Sequence, residues 1–114
     1  PINGVLAHAN HLVDPKEVGV KEPENPRRHL TEFRHNQIEA LLNEQKPINV
    51  YGIQEILKDH EHRPQSLCRH RDDSLLESQH TITKTAMIMD LEERKMWVTN
   101  GQPCTAEFEE YSLN

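Results

Sequence analysis

TITKTAMIMDLEERKMWVTNG, residues 81–101, is the stretch on which the reading of the fold turns. Residues 81–91 are rich in Thr, Ile and Met, side chains that suit a pleated, half-buried surface, and they predict a strand. Residues 92–95 form a charged turn, residues 96–99 return as a second strand, and Asn100-Gly101 ends it. This is a hairpin. Successive strand side chains point to opposite faces, so Ile82, Ala86 and Ile88 share one face and Met87, Met89 and Leu91 the other. Both faces are apolar or small, as expected of a sheet lying between two layers.

Working upstream, TEFRHNQIEALLNEQ (31–45) opens on Thr31, a good N-cap, and puts Phe33, Ile38, Leu41 and Leu42 near one side of a helix. Pro47 ends that element, because proline lacks the amide hydrogen a helix interior needs. NVYGIQEILKDH (49–60) then carries Val50, Ile53, Ile56 and Leu57 at helical spacing, which predicts a second, shorter helix. Near the start, INGVLAHANHL (2–12) alternates around Ile2, Val5, Ala7 and Ala9 and reads as a strand ending near residues 10–12. Residues 14–29, with three prolines and many charges, are a solvated connection, and residues 71–79 are a second. The tail GQPCTAEFEEYSLN (101–114) is acidic and offers no recognisable element. The expectation is a single partial α+β domain over residues 1–114: one strand, two helices and a hairpin.

Composition narrows the function classes. Hydrophobic residues make up 34% of the 114 and charged residues 28%, so little apolar material is available to offset conformational entropy without a partner. The net charge of -6 and the lack of any long Lys/Arg block argue against nucleic acid. No apolar run reaches the length of a membrane span, and the chain opens without a signal-peptide pattern. Two cysteines, Cys68 and Cys104, without a secretion signal point to free thiols and a cytoplasmic, reducing location.

LKDHEHRPQSLCRH (57–70) concentrates the chemistry-bearing residues. His60, Glu61, His62, Cys68 and His70 are ligand types that suit zinc, but no paired Cys-x-x-Cys or His-x-x-x-His occurs, His60 and His62 diverge on a helix, and basic residues lie alongside. The spacing favours a polar helix exit and no metal. Cys68 beside Arg69 has one feature of an activated thiol, against the commoner buried cysteine. Pro1 could act as a terminal amine base, as in tautomerases that begin with proline, but nothing else of that pattern is present.

Three stretches taken together resemble one family: GVLAHANHLVDP (4–15), LKDHEHRPQSLCRH (57–70) and IMDLEERKMWVTNGQPCTAEFEEYSL (88–113). In order and spacing they are similar to the C-terminal half of the family containing acyl-coenzyme A:6-aminopenicillanic-acid acyltransferase, the linear-amide-cleaving branch of the N-terminal-nucleophile hydrolases. The resemblance implies part of a four-layer αββα sandwich and chemistry on an amide or thioester carbonyl. A terminal cysteine attacks in such enzymes, while its own α-amine takes the proton. By the motif match Asn10 supplies an oxyanion donor, and Ser66 and Arg69 border the site, orienting strand ends and supporting a carbonyl or substrate carboxylate.

The family's nucleophile opens the mature chain well upstream of the Asn-His motif, and here position 1 is proline while Cys68 and Cys104 match internal family cysteines. The expectation is therefore a C-terminal fragment that works only with the missing N-terminal half. The alternative is a catalytically silent remnant serving as a homodimeric binding or assembly module, since an incomplete sheet leaves open edges. No cofactor is expected, and acyl-coenzyme A enters as a candidate substrate.

Overall fold

A computed structural model describes residues 4–12, 14–45 and 47–114. In chain order the elements are α1 (Arg28–Glu44), α2 (Val50–Leu57), a short 3-10 turn (Glu77–Gln79), β1 (Met87–Asp90), β2 (Lys95–Thr99) and β3 (Phe108–Ser112). The fold is α+β: two helices and a three-stranded antiparallel sheet of order β1-β2-β3. By contacts the chain divides into two compact units, Pro1–Lys46 and Pro47–Asn114.

In the first unit α1 begins three residues before the expected cap. Asn25 receives the Arg27 and Arg28 amides on its side chain and carbonyl, at 2.9 and 3.1 Å, and so starts the helix. Thr31 lies inside the first turns, buried, and its hydroxyl shares a hydrogen bond with His11 Nδ1. Tertiary contact claimed that hydroxyl; the cap did not. Arg28 holds the connection below the helix: it pairs with the Glu22 carboxylate, bonds Glu32 at 2.7 Å and reaches the Leu12 carbonyl at 3.0 Å. The helix ends at Glu44, ahead of Pro47, as the sequence predicts.

The expected first strand is corrected. Residues 4–12 carry only an isolated bridge at Val5; Ile2 and Asn3, which belonged to that expectation, lie outside the described residues, as does Pro1 with its expected amine role. Alternation suits a strand but does not provide its partner, and here the carbonyl of Ala7 is taken by His35 Nε2 at 3.2 Å instead of by a ladder.

In the second unit the Asn49 side chain caps α2 by accepting the Gly52 amide at 2.8 Å. Ile56, on its inner face, is buried, and α2 packs on β1. The hairpin pairs Ile88 with Trp97 and Met89 with Met96. Its turn is built by Asp90, whose carboxylate accepts the Glu92 and Glu93 amides at 3.1 and 3.0 Å, with Arg94 at a positive φ of 55°.

Two strand expectations change. The first hairpin strand is residues 87–90 only; residues 81–86 and Leu91 lie outside the ladder, Ile82 is exposed, and the return strand starts at Lys95, one residue before the expected 96. The buried Thr99 hydroxyl fixes the base of the hairpin, accepting the Ala86 amide at 2.8 Å and donating to the Gly101 carbonyl at 2.7 Å. The acidic tail is also structured: residues 108–112 pair with β2, placing Tyr111 opposite Met96 and Glu110 opposite Trp97.

The two faces of the sheet differ. Ala86 and Ile88 are buried, whereas Met87, Met89, Leu91, Tyr111 and Leu113 are exposed. No helix among the described residues is long and apolar enough to cross a membrane.

Candidate functional site

The loop leaving α2 folds back on itself through its own backbone. The Cys68 amide donates to the Asp59 carbonyl at 3.1 Å and the His70 amide to the Pro64 carbonyl at 2.9 Å. Ser66 is fully buried, and its hydroxyl donates to the Cys68 carbonyl at 2.6 Å. Arg69 and Thr83 then exchange bonds, the Arg69 amide to the Thr83 hydroxyl at 2.9 Å and the Thr83 amide to the Arg69 carbonyl at 3.1 Å. The same carbonyl accepts the Gln102 side-chain amide at 2.8 Å, tying this loop to the turn after β2.

That tie brings Cys104 onto the loop. His60 Nε2 and His70 Nε2 stand 3.0 Å apart, Cys68 Sγ is 3.7 Å and Cys104 Sγ 3.5 Å from His70 Nε2, and the four atoms all lie within 4.8 Å of one another. Both cysteines are free thiols. Glu61 and His62, read as ligand types in the sequence, are exposed and outside the group. Ligand spacing within residues 57–70 covers one segment only. Cys104, distant in sequence, had no signal to join it to them.

Burial pushes the Cys68 thiol above its ordinary pKa, with the neighbouring Cys104 adding to the effect. Burial also holds His70 below the ordinary histidine value, helped by the Arg63 charge and by His60. Cys68 and His70 are therefore biased towards the neutral thiol and the neutral imidazole. A buried thiol with a raised pKa is the opposite of an activated nucleophile.

The three residues singled out by motif fall in different units. Asn10 is exposed in the first, on the segment held by the His11–Thr31 and His35–Ala7 hydrogen bonds. Ser66 and Arg69 belong to the second. Ser66 spends its hydroxyl on the loop backbone, while Arg69 Nη1 donates to the Thr81 hydroxyl at 2.6 Å and its buried Nε finds no hydrogen-bond partner among the described residues. His11 and Thr31 were missed as positioning residues; a histidine next to the motif asparagine was their only sequence signal.

With this geometry in view, comparison with known proteins gives a class of acyl-transferring enzymes. The chain belongs to the acyl-coenzyme A:6-aminopenicillanic acid acyl-transferase family, whose model matches residues 1–105. No curated protein matches the chain. At the family level the chain is acyltransferase-like.

Proposed function

We propose that this chain is the C-terminal part of a cysteine N-terminal-nucleophile acyltransferase or amidohydrolase acting on amide or thioester carbonyls, with acyl-coenzyme A a candidate acyl donor. The observation that carries this reading is the family match over residues 1–105. The nucleophile comes from outside these residues. Cys68 is fully buried with its thiol pushed up in pKa, and Cys104 is internal to the chain, on the turn after β2, without the free α-amine this chemistry uses as base, so neither suits the role.

Asn10 is the oxyanion donor in this reading: an amide N–H donates without adding charge to the resting site. Its exposure on a tethered segment supports the role, because the side chain is accessible while the backbone beneath it is held. Ser66 acts as a positioning residue through its bond to the Cys68 carbonyl, and the unpartnered Nε of Arg69 is available to a carbonyl or carboxylate. The uncovered apolar face of the sheet supports the sandwich: α2 lies against β1, and the face carrying Met89, Met96 and Tyr111 suits a second sheet from the remainder of the domain. Free thiols suit a cytoplasmic setting.

The test is the intact mass of the protein in its native cell against 13.3 kDa, followed by acyl transfer with and without Asn10→Ala. The expected result is a larger species, or a second chain that copurifies, with a mature N-terminal cysteine. Asn10→Ala should then lower the rate about 100- to 1000-fold. A 13.3 kDa species alone, dimeric and binding no acyl compound, overturns this reading in favour of the silent homo-oligomeric module, for which the open edges β1 and β3 are the supporting observation.

A further inference from the structure

We propose that His60, Cys68, His70 and Cys104 form a structural site for a thiophilic divalent cation, zinc first. The warrant is chemical and geometric. Two imidazole nitrogens and two sulfurs are a ligand set that zinc takes tetrahedrally, with metal–nitrogen bonds of about 2.0–2.1 Å and metal–sulfur bonds of about 2.3 Å. A tetrahedron with those arms has edges of roughly 3.3 Å between nitrogens and roughly 3.5 Å between nitrogen and sulfur. The corresponding separations are 3.0 Å for His60–His70, 3.7 Å for Cys68–His70 and 3.5 Å for Cys104–His70.

A chance meeting of polar groups would not need so prepared a frame. The Cys68 and His70 amides are each fixed by loop carbonyls, the Ser66 hydroxyl holds the Cys68 carbonyl, and Gln102 ties the Cys104 turn to Arg69. Pro103, immediately before Cys104, is fully buried. Such support places ligand backbones before a metal arrives.

The basic neighbours do not prevent binding. Arg69 turns to the Thr81 hydroxyl at 2.6 Å and Arg71 to Asp73 at 2.8 Å. Arg63 is exposed, and the site it faces is neutral once loaded. On binding, two S–H bonds break and two metal–sulfur bonds form; two protons leave to solvent, the imidazoles contribute lone pairs, and nothing is oxidised. Two thiolates then balance the charge of the cation.

With four protein ligands the site has no open position, so its role is structural. It joins the exit of α2 to the turn between β2 and β3. The buried hydrophobic side chains among the described residues are Ile56, Cys68, Ala86 and Ile88, a small core of the kind that metal staples commonly reinforce.

The test is titration of the reduced, unmutated protein with cobalt(II) chloride, then displacement by zinc(II) chloride, so no variant has to fold. One equivalent of cobalt should produce the visible absorption of a tetrahedral centre and a near-ultraviolet band accounted for by two thiolates. Zinc should abolish both. Cys104→Ser should weaken cobalt binding by more than about 100-fold and halve the thiolate band, and His70→Ala should weaken it comparably while leaving the Cys104 thiol open to an alkylating reagent in the presence of cobalt. No tetrahedral spectrum with cobalt in excess overturns the site. So does a spectrum unchanged by Cys104→Ser, or a reduced protein that takes no metal while Cys104 alone alkylates rapidly beside His70.

Discussion

In residues 4–45 the segment carrying Asn10 is held against α1 by polar hooks: His11 to Thr31, His35 to the Ala7 carbonyl, Arg28 to Glu22 and to the Leu12 carbonyl. In residues 47–114 the buried aliphatic side chains Ile56, Ala86 and Ile88 lie between a capped helix and a hydrogen-bonded sheet. The two regions separate the tasks of placing and stabilising. A hydrogen bond fixes direction but contributes a net of only about 0.5–1.5 kcal/mol, because water satisfies the same groups in the unfolded chain. A buried aliphatic side chain has no direction but contributes about 1.5–3 kcal/mol. The first region is built to hold a segment in place, the second to remain folded.

That contrast can be broken most readily at Ile88. Ile88→Ala should cost about 2–5 kcal/mol by urea unfolding, the range for emptying a buried aliphatic site. A cost below about 0.5 kcal/mol, as at an ordinary surface position, would remove the claim that this region carries the stability. Thr99→Val comes next. It keeps the shape but takes away the hydroxyl that accepts the Ala86 amide and donates to Gly101, and about 1–3 kcal/mol should be lost, with faster amide exchange at Ala86.

In the first region Thr31→Val should cost only about 1 kcal/mol while releasing His11, seen as increased mobility of residues 7–12 by NMR. A loss as large as that of Ile88→Ala would mean the hooks stabilise as strongly as the core does. The smallest effect is with pH. Burial, then the Arg28 charge and His35, hold His11 below its ordinary pKa of 6.5, so the unfolded chain takes up a proton there before the folded one does. The His11 contribution is therefore intact above pH 6.5, declines as pH falls below it, and is lost by the lower pH at which native His11 protonates. An NMR titration of His11 should give a midpoint below 6.5, and a midpoint at or above that value would contradict its burial in this contact.

Features that depend on local periodicity and turn chemistry could be read from the residues alone. Val50, Ile53, Ile56 and Leu57 recur at helical spacing, and α2 spans Val50–Leu57; residues 92–95 read as a turn, and the turn is there but one residue earlier, at 91–94, with Lys95 already in β2. The division of the hairpin side chains between two faces was legible too, because strand side chains alternate, but both faces read as covered, whereas Ala86 and Ile88 are buried and Met87 and Met89 are exposed. The three motif stretches were sufficient for the family, since order and spacing along a chain survive without a structure.

Features that depend on a partner distant in sequence were settled by the folded arrangement. Residues 4–12 have the alternation of a strand but no ladder to join, while FEEYS, at 108–112, has a weak pattern and becomes β3 because β2 offers an edge. Thr31 has the chemistry of a cap and is bonded to His11, 20 residues away. Cys104 is 34 residues from His70 and meets it only because the Arg69 carbonyl, Gln102 and the hairpin base bring their loops together. A hydrogen bond or a ligand contact acts over a few ångströms of space whatever the separation along the chain, so its partner is fixed by the fold and not by the spacing of residues.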